Sequence, residues 1–215
     1  MTDHEAATPS PPDFVLVLAG EGSGEFTEQR SRFLGFALPA ADEAAARNAI
    51  AAIAKRHHDA RHACSAWRLG ASPLPREYRH DDGEPAGTAG EPLLAAIRRH
   101  ELTNTAVVVV RWFGGVKLGP GGLARAYGRA AAMALEAASV TRLPLGRTFA
   151  LSFPYPMRQA VERLVMLRGG HACAESYGVD VSWEVWLPHS GCEGFGAAIT
   201  EATAGVVNAR ETTIR

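Results

Sequence analysis

The run Arg111-Trp-Phe-Gly-Gly-Val-Lys-Leu-Gly-Pro-Gly-Gly122 concentrates five glycines and two cations in one short stretch. Glycine tolerates left-handed and nest-like backbone, so amide N–H groups can converge there, and a helix starting at the end of the run would add the positive end of its dipole. Arg111, Gly114, Gly115, Lys117, Gly119, Gly121, Gly122 and Arg125 therefore form a candidate cradle for a phosphate, as in RNA, or for a carboxylate. No Gly-Lys-Ser/Thr follows, so this is not a Walker A loop. Tight turns and close packing would equally account for the glycines, and that reading stays open. Of Trp112 and Phe113 one must face a core, which leaves at most the other for stacking on a base.

A second constellation precedes it, Asp81-Asp-Gly-Glu-Pro-Ala-Gly-Thr-Ala-Gly90. Asp81, Asp82 and Glu84 offer hard oxygen ligands for magnesium or calcium, or an acid and a base, although the spacing is not that of an EF-hand. The same carboxylates could cap backbone amides or pair with Arg111 or Arg125. His57, His58, His62, Cys64 and His80 are suitable metal ligands by type, but His62 and Cys64 share one face of a strand, as a satisfied core pair would. No Gly-x-Ser-x-Gly elbow is present. The motifs name no catalytic residue, no metal site and no cofactor.

The formal charge of −1 excludes a globally basic nucleic-acid binder, so such contacts must be local. Between Arg98 and Arg129 six cations face one anion, Glu101, a balance of +5. Glu77, Asp81, Asp82, Glu84 and Glu91 outnumber Arg76 and Arg79 just before. No apolar run approaches the roughly 20 residues needed to cross a bilayer, and Met1 to Ser10 lacks a secretory core, so a cytoplasmic protein without membrane contact is expected. Cys64, Cys173 and Cys192 form neither an even set nor a CxxC pair, against a disulfide framework or zinc ribbon.

These motifs need a scaffold. Residues 1–12 read as a disordered tail. Phe14 to Ala19 and Arg32 to Leu38 suggest an antiparallel pair around a turn at Gly20 to Gly24. Asp42 caps a helix from Glu43 to Arg56, and Arg61 to Leu69 is a strand. Gly70 to Gly87 reads as a long surface loop. Thr88 and Glu91 fit a capping box, and Pro92 would equally suit a start at Glu91; either way a helix runs to about His100. Thr105 to Trp112, with four successive valines, is the mark of a strand buried on both faces, and Gly121 to Ala138 is a helix. Val140 to Gly146 is a strand or linker. From Thr148 the order is strand, helix Met157 to Leu167, two strands, a helix with a Ser190/Glu193 capping box, and a last strand Val206 to Ile214. That βαββαβ order is the ferredoxin-like split unit, so the chain is expected to be α+β with domains at 13–144 and 145–215.

The sequence resembles the YigZ/IMPACT family. The matching pieces are Ser31-Arg-Phe33, His62-Ala-Cys64, Asp81 to Gly90, Thr103-Asn104, Arg111 to Gly119 and Gly121-Gly-Leu-Ala-Arg-Ala-Tyr127. Trp112 stands where the family often has Tyr, and Pro120 where Ala is usual. The resemblance implies an N-terminal domain like the second domain of ribosomal protein S-five and a C-terminal domain like one in translocation factor G. It also implies a link to translational control, since eukaryotic IMPACT binds a regulator of the amino-acid starvation kinase. The expectation is a translation-associated regulatory protein binding RNA or a ribosome-associated protein through the Gly/Arg-rich loop. Two alternatives stay open: an enzyme acting on a phosphorylated or acidic small molecule with Asp81, Asp82 and Glu84, or a pure protein-interaction module.

Overall fold

The computed structural model describes residues 11–71 and 74–212. Of the expected tail 1–12, all but Pro11 and Pro12 lies outside the described residues. The chain divides into two compact units, Val15–Leu143 and Pro144–Arg215, the latter joined by the residues up to Phe14. Among the described residues no helix is long and apolar enough to cross a membrane.

The first unit contains β1 (Phe14–Leu18), β2 (Gly22–Glu28), β3 (Ser31–Pro39), α1 (Glu43–Arg56), β4 (His62–Leu69), β5 (Arg76–His80), α2 (Gly90–Arg99), β6 (Thr105–Trp112), α3 (Gly119–Ala137) and β7 (Val140–Pro144). Its antiparallel sheet has the order β2-β3-β6-β4-β5, with the valine-rich strand at the centre as its apolar run requires. Successive side chains alternate in face. Val107 and Val109 enter one core with Leu93 and Ile97 of α2 and Leu123 and Tyr127 of α3. Val108 and Val110 pack with Ile53 of α1 on the other side. Arg111 has the parity of Val109, which sends a cation to the face that α2 and α3 cover.

Several local expectations need correction. β1 pairs with β7, not with β3, and the glycine-rich stretch read as a turn supplies the first three residues of β2. Its glycines serve packing. Gly24 lies opposite Gly35 on β3; a Cβ on Gly24 would fall 2.5 Å from Met133 Cβ, and one on Gly35 2.5 Å from the Ala130 carbonyl oxygen. The missing side chains let α3 lie against the sheet. The expected loop 70–87 contains β5, because Arg76 to His80 completes the sheet beside β4. Asp42 caps α1 as expected, its Oδ1 accepting from Ala45 N at 2.8 Å. Thr88 and Glu91 form no capping box: Thr88 Oγ1 donates to the Pro85 carbonyl, and Ala89 at the N-cap has no side chain able to cap the helix.

The second unit contains β8 (Gly146–Phe153), α4 (Arg158–Leu167), β9 (His171–Tyr177), β10 (Val181–Pro188), the short α5 (His189–Cys192), α6 (Phe195–Ala202) and β11 (Arg210–Thr212). The sheet order β11-β8-β10-β9, antiparallel throughout, is that of the split βαβ unit. Val181, Trp183, Val185 and Leu187 alternate into its core, against Val161 and Val165 of α4 and Phe195 and Ile199 of α6, while Ser182 and Glu184 are exposed. Ser190 caps nothing here. It lies inside α5, its N–H and hydroxyl both donating to the Asp13 carboxylate, and left-handed Gly194 precedes α6. The last strand is shorter than 206–214, and Thr213 and Ile214 lie outside the described residues. Both units together make the α+β architecture expected.

Candidate functional site at the glycine-rich loop

Strand register brings the two constellations together. Arg111, one residue before the end of β6, lies opposite Phe33 on β3 and His62 on β4. Its guanidinium is buried, with the residue 5% exposed, and Nη1 donates to Glu84 Oε1 at 2.6 Å. Glu84 Oε1 also accepts from the Tyr127 hydroxyl at 2.8 Å, and His62 Nε2 is 3.8 Å away. Arg111 Nη2 reaches Ser31 Oγ at 3.3 Å, which also accepts from Gly114 N. The rings of Phe33 and Phe113 lie within 5.5 Å of the guanidinium. A buried pair of this kind holds the loop in place; removing Arg111 alone would leave Glu84 uncompensated at a cost of about 3–5 kcal/mol. Burial pushes the Tyr127 phenol up, keeping it a donor to Glu84.

Asp81 and Asp82 are occupied by backbone. Asp81 accepts from Gly87 N, Ala89 N and Gly90 N at 2.8–2.9 Å, capping α2 from eight residues upstream of Ala89. Burial opposes its charge, yet the N–H groups of Gly87, Gly90 and Ala89 hold its carboxyl below the ordinary carboxylate range. Asp82 Oδ2 accepts from Ala63 N, and its carbonyl lies 2.7 Å from His62 Nδ1. Cys64 Sγ donates to the Asp81 carbonyl at 3.0 Å. His62 and Cys64 thus share a strand face and clasp the acidic loop. Among the described residues no three His, Cys, Asp or Glu side chains converge to hold a metal ion.

The glycines fall into three roles. Gly114 is a close approach: a Cβ there would sit 2.0 Å from the Arg30 carbonyl carbon. Gly115 and Gly119 have φ of 87° and 67°, the left-handed region that glycine favours. Gly121 and Gly122 lie in the first turn of α3, which has no side-chain cap and no acidic residue there, leaving its amide donors unclaimed by side chains. Lys117 and Arg125 are exposed and make no ion pair with a described carboxylate, so Arg111 and not Arg125 takes the acidic loop's charge. A cleft of about 550 Å³ opens here, lined by Arg61, His62, Glu84, Arg111, Phe113 and Lys117 among others. Ser31, His62 and Tyr127 were not assigned to the site from sequence. All three lie in the motifs that carry the resemblance, but nothing in their spacing shows that they converge.

The family model for the Impact N-terminal domain matches residues 29–135, and that for a domain of unknown function, DUF1949, matches 151–206. The IMPACT family member YvyE of Bacillus subtilis is 33% identical over 203 residues, which cover 92% of this chain and 90% of the relative. The chain belongs to the IMPACT family. Its likeness to the IMPACT family member YigZ of Escherichia coli is 33% over 178 residues, 82% of this chain and 87% of the relative. A solved structure described as a hypothetical protein matches with a TM-score of 0.64 and 29% identity, covering 94% of this chain and 99% of its own. The Impact N-terminal match spans every residue of the cleft described above.

Proposed function

We propose that this IMPACT-family chain is a translation-associated regulatory protein of the cytoplasm that binds RNA phosphate at the cleft beside the N-terminus of α3. The observation that carries the reading is the pairing pattern. Arg111 is spent on Glu84, whereas Lys117 and Arg125 stand exposed, with no ion pair to a described carboxylate, at a helix start that has no side-chain cap and whose N–H groups suit an anion. Arg111 then shapes the loop, and Lys117, Arg125, Gly119, Gly121 and Gly122 meet the phosphate. Exposed Phe113 gives the cleft one aromatic face. The alternative enzyme reading narrows to Glu84 and His62, because the Asp81 and Asp82 carboxylates are taken by backbone amides.

The test is titration of a fluorescent single-stranded RNA over a range of salt concentrations. Each cation that neutralises one phosphate contributes about 0.7 to the logarithmic salt slope. Lys117→Ala is expected to lower the slope by about that amount and to weaken unrelated sequences alike, at an unchanged melting temperature. RNA affinity and salt slope that Lys117→Ala and Arg125→Ala leave unaltered would eliminate this site. Arg111→Ala is a poor probe, since it unpairs Glu84.

A further inference from the structure

Helices α2 and α3 lie side by side on the sheet and leave a groove of about 650 Å³ between them. Its inner lining is small and apolar, with Ala96 buried and Ala124, Gly128 and Ala132 half-buried, while Arg99, Arg125 and Arg129 are exposed along it. Arg125 and Arg129 are four residues apart on α3, so two like charges share one helix face, an arrangement that weakens a free helix. Arg98, one residue from Arg99, takes both Glu77 and Glu91, whereas Arg99 and Arg125 make no ion pair with a described carboxylate and Arg129 lies over the Phe26 ring at 5.0 Å. Glu136 is the one acidic residue among the described residues that line the groove.

We infer that this groove docks an acidic amphipathic helix of a partner protein. A floor of alanine and glycine lets a third helix approach to ordinary helix-packing distance, and the arginines match carboxylates on that helix's flanks. A nucleic-acid strand has less to gain here. No Phe, Tyr or Trp among the described residues lines the groove, which leaves His100 as the one ring for a base to stack on, and a phosphate backbone makes no use of an apolar floor. The inference does not rest on the RNA reading, because its anchors, Arg99 and Arg129, are outside the cleft that holds Lys117.

The probe is a fluorescein-labelled synthetic helix with leucines at i, i+3, i+4 and i+7 and glutamates on both flanks, followed by anisotropy against the full chain. Saturable binding that weakens with salt is expected, together with none for the same peptide carrying lysine in place of glutamate. Arg99→Glu with Arg129→Glu should weaken binding about tenfold. Gly128→Leu tests the floor: a Cβ there meets Pro92 Cβ at an ordinary 3.7 Å, so the larger side chain fills the groove and should abolish binding at an unchanged melting temperature. Lys117→Ala should leave the peptide's affinity unaltered, which separates this result from that for RNA. No binding by the wild-type chain, equal binding by the double variant, or equal binding by Gly128→Leu would each overturn the inference.

Discussion

At the scale of single residues, the site is organised by what burial does to polar groups. Cys64 is fully enclosed, and burial pushes its thiol up to about 12, so it is a hydrogen-bond donor to Asp81 and not a nucleophile at neutral pH. The sign of the linkage follows. An unfolded thiol ionises near 8.5, so between that value and 12 the folded chain keeps a proton that the unfolded chain has lost. The stability this contributes is complete below about pH 8 and declines as pH rises. Denaturant midpoints measured from pH 8 to 10 should fall for the wild type and fall less for Cys64→Ala. Iodoacetamide at pH 8 should modify exposed Cys173 and spare Cys64; equal rates at the two would show that the loop does not enclose the thiol.

At the scale of elements, the close contacts between sheet and helix explain residues that composition alone would assign to turns. Gly24 and Gly35 face each other beneath α3, which also supplies Tyr127 to Glu84, so the helix's seat on the sheet and the geometry of the site are one matter. Gly35→Ala places a methyl group 2.5 Å from the Ala130 carbonyl oxygen, backbone that can yield only if α3 moves. The expected cost is about 1–3 kcal/mol, the usual penalty for overpacking, read as a lowered urea midpoint. Weaker protection of the Tyr127 hydroxyl contact, seen as altered tyrosine ultraviolet absorbance, should accompany it. A variant as stable as the wild type would show that α3 does not sit against β3 as described.

At the scale of the molecule, each unit has an apolar core of its own, one around β6 with α2 and α3, the other around β10 with α4 and α6. Two cores allow two cooperative units. Phe195 is fully buried in the second, and its ring is 5.1 Å from that of Phe149. Phe195→Ala is expected to cost the second unit about 3–5 kcal/mol. Hydrogen exchange should then quicken through β8 and β10 and remain unchanged in β6. Equal acceleration in β6 would mean that the chain unfolds as a single cooperative block.

The sequence by itself determined what depends on local period and composition. Four valines in a row marked the central strand, the alternation from Val181 to Leu187 marked the face of the second sheet, and the βαββαβ order marked its topology. It also brought the acidic and glycine-rich loops into view as chemically loaded, and the motifs that contain them established the family likeness. Tertiary structure alone decided which partner each polar group takes. Arg111 reaches Glu84 because the strand's parity turns it toward α2 and α3, and Asp81 caps a helix that Thr88 was placed to cap, because the loop folds back over β4. The glycines of β2 looked like a turn because the reason for them, a helix passing 2.5 Å from where a Cβ would be, lies more than a hundred residues away in the chain. Contacts of that separation leave no period in a sequence; they exist only once the sheet has been assembled and the helix laid across it.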